Sequence, residues 1–126
     1  MANPIILTVD DTPSVRSLVG KLVAKIGFDI VEAGNGREGL GKLAEIKQKK
    51  TPPKLIITDL NMPTMDGIAF IRAVRKEDMK TPILMLTTID ADEKKVEGKK
   101  AGANGWLTKP ISPNLFLDTI RKMVAD

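Results

Sequence analysis

The sequence predicts an α/β fold in which a parallel β-sheet is covered by helices on both faces. Five short apolar segments alternate along the chain with segments of helical periodicity. The apolar segments lack the apolar–polar alternation of half-exposed strands, which indicates strands that are buried on both faces. No linker, repeat or low-complexity tract divides the 126 residues. Because a chain of this length can form one sizeable core, we expect residues 1–126 to be a single domain.

The first predicted strand covers residues 5–9, and an amphipathic helix follows it. Thr12 is placed to be the N-cap of this helix, Pro13 its first residue and Gly27 its terminator. Six apolar residues recur at the spacing of one helical face, and these are Val15, Leu18, Val19, Leu22, Val23 and Ile26. We expect this face to pack against the sheet.

The central part of the chain repeats the strand–helix unit. Strands and helices are predicted in turn at residues 28–33, 36–49, 54–58, 67–76 and 83–86. The inward residues of the second of these helices should be Ile68, Ile71 and Val74. The next helix, at residues 92–100, is weak because it is nearly all charged, contains Gly98 and offers little except Val96 to the core.

The last predicted unit is a strand at residues 105–108 and a helix that is capped by Ser112 and starts with Pro113. Its inner side should be formed by Phe116, Ile120, Met123 and Val124. The five strand–helix units together favour the parallel sheet with helices on both faces.

Composition excludes several kinds of chemistry. The chain has no cysteine and no histidine, which rules out disulfides, cysteine-ligated metals and nucleophiles activated by histidine. Carboxylates, hydroxyls and lysines remain as candidate nucleophiles. The N-terminal segment MANPIILTVDD has no basic start and only a short apolar run. We therefore predict neither a signal peptide nor membrane insertion, and we expect a cytoplasmic protein.

The formal net charge is +4, from 20 basic and 16 acidic residues. Basic residues cluster at 47–50, 94–95 and 99–100. Such clusters on exposed helix faces are usually solvated, so we do not predict nucleic-acid binding.

Polar residues follow four of the five predicted strands. In chain order these are Asp10 and Asp11, then Asp59, then Thr87 and Thr88, and finally Lys109. Each has an ordinary explanation by itself, since acids can complement a helix dipole and threonines can close a turn. Ligands of open parallel sheets bind at the carboxyl ends of the strands. The combination at one edge therefore predicts a functional site.

These segments resemble the receiver domains of two-component response regulators, in particular the stand-alone, chemotaxis (CheY-like) type. The resemblance covers essentially the whole chain and rests on VDD with Asp10 and Asp11, TDLNMPTMDG with Asp59, MLTT with Thr87, and AGANGWLTKPI with Trp106, Lys109 and Pro110. It implies a doubly wound, flavodoxin-like sheet in the order 2-1-3-4-5. Strands 1 and 3, and hence the acids, would then be neighbours.

The resemblance implies that Asp59 is a phosphoacceptor that receives its phosphoryl group from a sensor histidine kinase. Asp11 and Asp59 would coordinate Mg²⁺ directly, Asp10 would act partly through water, and the main-chain carbonyl of Asn61 would complete the protein ligands. A cation is also expected on physical grounds, because close carboxylates repel by about 4 kcal/mol per pair at an effective dielectric constant of 20. A hard divalent ion fits oxygen ligands.

Further roles follow from the same resemblance. The ammonium of Lys109 would neutralise phosphoryl charge, and the Lys109–Pro110 peptide bond would be cis to aim it. Thr87 would donate a hydrogen bond and would thereby trigger a movement of Trp106, which stands where the family usually has Tyr or Phe. Asn61 and Ile89 would control the access of water and hence the lifetime of the phosphoryl group.

The implied protein is a monomeric signalling protein that catalyses only its own phosphorylation and dephosphorylation. The chain ends soon after the fifth helix, so we expect output by protein contact through the fourth helix, fifth strand and fifth helix. Trp106 and the four lysines of the fourth helix lie there. Candidate partners are a flagellar motor switch component, a phosphatase, a phosphorelay component or a kinase regulator.

Three alternatives remain open from the sequence. A phosphatase of the haloacid dehalogenase type also forms an aspartyl phosphate, but it normally has an acid where this chain has Asn61. A flavodoxin-like electron carrier needs a hydroxyl- and glycine-rich loop after the first strand, and none is present. The chain could also be a receiver excised from a longer regulator.

Overall fold

The computed structural model describes residues 3–49 and 51–125. Lys50 of the predicted basic cluster and the first two residues of the N-terminal segment lie outside the described residues. The strands are β1 (Ile5–Val9), β2 (Asp29–Ala33), β3 (Leu55–Thr58), β4 (Ile83–Thr87) and β5 (Gly105–Thr108). Neighbouring strands pair in parallel in the order β2-β1-β3-β4-β5, which confirms the predicted sheet.

The helices are α1 (Pro13–Ala24), α2 (Gly36–Gln48), α3 (Gly67–Glu77), α4 (Asp92–Ala101) and α5 (Pro113–Val124). Only the end of α1 departs from its predicted bounds by more than one residue. There the chain makes a turn after Ala24 before reaching Gly27, whose φ of 90° ends the helical segment. None of the described helices is long and apolar enough to cross a membrane.

The sheet separates two apolar layers because successive side chains of a strand point to opposite faces. Leu7 and Met85 lie on one face with α2, α3 and α4, and Ile6 and Leu84 lie on the other with α1 and α5. β1, β3 and β4 are therefore covered on both faces. This double burial explains why their sequences are apolar without alternation.

Two residues that were predicted to face the core are exposed, namely Leu18 at 40% and Val96 at 53%. Leu18 lies at the margin of the α1 face and borders a surface groove with Pro110 and Ile111. Val96 lies about 200° around α4 from Gly98. Gly98 is buried, and a Cβ atom there would collide with the thioether of Met85. α4 therefore contacts the sheet through its small residues.

The helix caps are only partly those that the sequence suggested. Thr12 and Ser112 occupy the N-cap positions, but their side chains make no capping hydrogen bond. Side-chain caps are found instead on α2, where Asn35 accepts from the Glu38 N–H, and on α3, where Asp66 accepts from the Ala69 N–H. These two caps satisfy backbone donors that the helices leave unpaired.

Arg75 near the end of α3 ties this helix to the segment between α4 and β5. Its Nε and Nη2 atoms donate to the Gly102 carbonyl at 3.0 and 2.9 Å, and Nη2 also donates to Asn104 Oδ1 at 2.9 Å. Gly102 has a φ of 124°, which is why a glycine is required there. The C-terminal end of α4 is thereby held in place.

Asp78, directly after α3, organises the entry to β4. Its Oδ1 accepts hydrogen bonds from the N–H groups of Lys80 and Thr81, and its Oδ2 accepts one from the Thr81 hydroxyl at 2.6 Å. Lys47 Nζ on α2 lies 3.3 Å from the same Oδ2. Burial alone would raise the pKa of Asp78, but the bonds from Thr81, Lys80 and Lys47 outweigh it and hold the pKa well below its usual range.

We expect Asp78→Asn to lower the free energy of unfolding by about 1.5–3 kcal/mol at pH 7, because hydrogen bonds to a charged group are lost. Since the folded pKa is lowered, this stabilisation is present above the unfolded pKa near 3.9 and is lost as the pH falls below it. Urea unfolding at pH 7 and pH 3 measures the difference, with the exposed Asp118→Asn as the control. Equal stability of the Asp78→Asn and unmutated proteins at pH 7 would contradict this prediction.

Candidate functional site

Three aspartates meet where β1 and β3 end. One carboxylate oxygen each from Asp10, Asp11 and Asp59 lies within 4.8 Å of the others, and no other acidic group of this kind occurs within residues 3–49 and 51–125. Asp10 and Asp59 are buried, and Asp11 is exposed. The parallel pairing of β1 with β3 brings these strand ends together. The acids therefore lie in one cluster at the edge of the sheet where the sequence analysis placed them.

Lys109 joins two of these acids from the end of β5. Its Nζ atom lies 2.8 Å from Asp10 Oδ2 and 3.0 Å from Asp59 Oδ2, and its side chain is only 11% exposed. Burial alone would lower the pKa of Lys109, but its contacts with Asp10 and Asp59 outweigh that effect and raise the pKa. The ammonium is therefore fixed in the charged form. The Lys109–Pro110 bond is cis, as the resemblance implied.

The Asp59 carboxylate is held at both oxygens. Oδ1 accepts from the Leu60 N–H at 2.7 Å, and Oδ2 pairs with Lys109. The main-chain carbonyl of Asp59 accepts from the Thr58 hydroxyl at 2.9 Å. A side chain at Gly67 would collide with this carbonyl, so the start of α3 can approach Asp59 only as glycine. Thr58 and Gly67 are supporting residues that the sequence analysis did not single out.

Asp10 is fixed by its backbone and by Arg16 of α1. Its Oδ1 accepts from the Thr12 N–H at 2.9 Å, and its N–H donates to the Ala33 carbonyl at 3.0 Å. Arg16 Nη1 donates to the Asp10 carbonyl, while Arg16 Nε pairs with Glu32 Oε1 at 3.0 Å. Arg16 was also missed. The available signal was a basic residue on the first turn of a helix beside two acids.

Thr87 ends β4 and is fully buried. Its hydroxyl oxygen accepts a hydrogen bond from the Ile89 N–H at 3.3 Å, so it closes a local turn at the start of the β4–α4 loop. Ile89 is half-buried against the core, whereas Asn61 and Thr88 are exposed. Turn closure, the ordinary explanation for a threonine at this point, therefore applies to Thr87.

Trp106 lies opposite Met85 in the β4–β5 pair and packs against the layer formed with α2, α3 and α4. Its indole Nε1 is buried, and among the residues that the structure describes no group accepts its hydrogen bond. The Lys95 Nζ atom lies 5.7 Å from the centroid of the ring. Within the described residues, no hydrogen bond therefore orients the indole.

Comparison with known proteins identifies the family to which the chain belongs. The family model described as "Response regulator receiver domain" matches residues 6–121. The chain belongs to this family. Membership in this family favours the receiver-domain interpretation over the phosphatase and electron-carrier alternatives.

This receiver domain is 42% identical to the structure of Vibrio cholerae chemotaxis protein CheY4, with a TM-score of 0.85 over 97% of this chain and 99% of that chain. It is 30% identical to chemotaxis protein CheY of Thermotoga maritima over 119 residues, which are 94% of this chain and 95% of the relative. It is 39% identical over 111 residues to Bacillus subtilis PhoP, an alkaline phosphatase synthesis transcriptional regulatory protein, and these are 88% of this chain but 44% of PhoP. The chain thus spans under half the length of several curated regulators that it matches.

The donor set of the receiver domain fits a hard divalent cation. Three carboxylates and one ammonium leave two formal negative charges at the cluster. All the donors are oxygens, which Mg²⁺ prefers. The exposed Asp11 leaves one carboxylate open to an ion arriving from solvent. The acidic cluster is therefore compatible with Mg²⁺.

We expect Mg²⁺ to raise the midpoint of thermal unfolding of the receiver domain, because an ion that binds only the folded cluster stabilises it. At one hundred times the dissociation constant the gain is about 2.7 kcal/mol. Asp11→Asn should remove most of this rise without unfolding the protein, since Asp11 is exposed. Thermal scans with and without Mg²⁺ test this, with Asp118→Asn as the control, and an undiminished response of Asp11→Asn would count against the site.

Proposed function

We propose that the protein is a phosphoacceptor of a two-component system, in which Asp59 receives a phosphoryl group from a sensor histidine kinase. The observation that carries the proposal is the buried bridge of Lys109 between Asp10 and Asp59 beside the exposed Asp11. An oriented carboxylate with a fixed cation beside it suits attack on phosphorus, because phosphoryl transfer depends mainly on positioning and charge neutralisation.

In the proposed reaction a carboxylate oxygen of Asp59 attacks the phosphorus atom of a phosphohistidine. The oxygen–phosphorus bond forms, the phosphorus–nitrogen bond breaks, and the imidazole leaves with its electron pair and takes a proton from solvent. Lys109 compensates the charge of the phosphoryl oxygens, and the Thr87 hydroxyl donates a hydrogen bond to one of them. Mg²⁺, held by Asp10, Asp11, Asp59 and the Asn61 carbonyl, would supply further neutralisation of charge.

The protein would act on no substrate other than its own phosphoryl group. Hydrolysis of the aspartyl phosphate would return it to the resting state, and its rate would depend on water reaching the phosphorus atom. Asn61 follows Asp59 by two residues, and Ile89 follows Thr87 by two residues. The apolar Ile89 side chain cannot hydrogen-bond a water molecule. We propose that these two residues set the phosphoryl lifetime.

Phosphorylation would change the output face through Thr87. Its hydroxyl now accepts from the Ile89 N–H. Rotation toward a phosphoryl oxygen would release that N–H, alter the β4–α4 loop and open space beside Trp106. The face formed by α4, β5 and α5 would then present a different surface to a downstream protein.

We propose that the chain acts as a monomeric, cytoplasmic regulator in chemotaxis, with a flagellar motor switch component or a phosphatase as its downstream partner. The similarity to the chemotaxis proteins CheY4 of V. cholerae and CheY of T. maritima supports the role in chemotaxis. A second candidate is the receiver part of a longer regulator, which the similarity to PhoP favours. Binding of the phosphorylated protein to a motor switch protein would separate the two.

We expect incubation with Mg²⁺ and a small phosphodonor to add one phosphoryl group, measured by intact mass. Asp59→Asn should abolish the addition, because it removes the nucleophile. Lys109→Ala should slow it by about 10²-fold, which is typical of losing one group that stabilises transition-state charge. Asp118→Asn should react at the normal rate. Full labelling of Asp59→Asn would refute the assignment.

We expect phosphorylation to shift the emission of Trp106, the only tryptophan in a chain without tyrosine. Thr87→Ala should suppress the shift but still allow phosphorylation, because the hydroxyl links the two events without being the nucleophile. Emission spectra of protein whose phosphorylation is verified by mass provide the measurement, with Thr119→Ala on α5 as the control. A shift of full amplitude in phosphorylated Thr87→Ala would mean that the signal bypasses the hydroxyl.

A further inference from the structure

Lys95 connects the β4–α4 loop with the indole of Trp106. Its Nζ atom lies 2.7 Å from Asp90 Oδ1 in the loop and 5.7 Å from the centroid of the Trp106 ring. The bond with Asp90 raises the pKa of Lys95, which keeps the ammonium charged. The Lys95 side chain is 40% exposed and that of Lys94 is 49% exposed, so the two neighbouring lysines differ in their contacts more than in their burial. Lys95 is therefore placed to act on the indole.

Packing alone does not fix the position of the indole. Two cavities border Trp106, one of about 500 Å³ toward α5 and one of about 390 Å³ toward α4. Lys95 and Trp106 line both of them. The ring therefore has room on either side. Because the indole N–H also has no acceptor among the described residues, the contact with Lys95 is the polar interaction that can hold the ring.

The other end of this contact lies in the segment that Thr87 controls. Asp90 follows Ile89 directly, and the Ile89 N–H donates to the Thr87 hydroxyl. A rotation of Thr87 that releases this N–H would also displace the adjoining Asp90. The ammonium of Lys95 would then lose its anchor. A tryptophan face is the best partner for a cation among the aromatic side chains, so an indole at this position gains most from the lysine.

We propose that Lys95 is a positioning residue for the aromatic switch: anchored by Asp90, its ammonium holds the Trp106 indole in the resting position, and movement of the β4–α4 loop releases it. The trigger rests on the proposed phosphorylation of Asp59, but the resting contact does not. Experiments can therefore refute the resting contact of Lys95 with Trp106 and the phosphorylation of Asp59 independently. Regulation of the output face would then depend on an ion pair and a cation–π contact as well as on the Thr87 hydroxyl.

Quenching of Trp106 fluorescence by acrylamide, a neutral quencher, tests the resting contact in the full chain. Lys95→Met keeps the apolar stem and removes the charge, and Asp90→Asn removes the anchor. Each should increase the ratio of released to held indole about two- to fivefold, as expected for losing an exposed cation–π contact, and should raise the quenching constant accordingly. Lys95→Arg retains a cation and should restore the low quenching of the unmutated protein.

Lys94→Met provides the matched control, because Lys94 is one residue away on α4 and pairs with Glu97 instead. It should leave the quenching unchanged. Unchanged quenching in Lys95→Met overturns the proposal, as does an equal rise in Lys94→Met or a failure of Lys95→Arg to restore the low value. Circular dichroism of each variant verifies that α4 is intact.

The same variants test the release step after phosphorylation is verified by intact mass. Phosphorylation should change the quenching constant of the unmutated protein, because the indole leaves its resting position, but should change that of Lys95→Met much less, because its indole is already released. An equal change in both would overturn the coupling through Lys95. If no variant accepts a phosphoryl group, the proposed function fails, while the quenching of the unphosphorylated proteins still decides whether Lys95 holds the indole.

Discussion

The structure is organised by the need to neutralise carboxylates that adjacent parallel strands bring together. Asp10 and Asp59 are both buried at the ends of β1 and β3, and two such charges a few ångströms apart would repel by about 4 kcal/mol at an effective dielectric constant of 20. Lys109 compensates this repulsion from the end of β5, on the far side of β4. The strand order and the register at the carboxyl ends must be preserved for one ammonium to contact both acids. The remaining features of the site hold these groups in place.

The sequence predicts the elements of this fold well, because buried parallel strands and amphipathic helices leave strong local patterns. It predicts burial less well where a helix contacts the sheet through small residues. Val96 has the largest apolar side chain on α4, yet it is exposed, and Gly98 makes the contact because its missing side chain leaves room for Met85. Hydrophobic periodicity is read from apolar side chains. A glycine that is buried because a neighbouring side chain occupies the space beside it therefore gives no periodic signal.

The meeting of the acids and the lysine in the candidate site was predicted from their positions at strand ends, whereas the residues that support them were not. Thr58 contacts a carbonyl next to the site, and Arg16 contacts another while pairing with Glu32 of β2. Both contacts are made to main-chain carbonyls, which every residue carries, so no pattern of residue types along the chain indicates them. The resemblance implied roles for the acids and the lysine because its motifs contain those residues. It placed Lys95 on the expected output face but gave no information on its contact with Asp90, which depends on how α4 lies against the loop.

The hydrogen bonds and the ion pair that Asp78 makes with Thr81 and Lys47 lie at the amino end of β4. The carboxylate cluster lies at the carboxyl edge of the sheet. The length of a buried strand separates them. Substitutions at the amino edge can therefore change the robustness of the fold while leaving the charge distribution at the other edge intact. A chain arranged in this way can accumulate stabilising or destabilising changes and acquire new partners independently. Residues at the amino edge of the sheet can thus evolve under selection for stability, and residues at the carboxyl edge can evolve separately under selection for signalling.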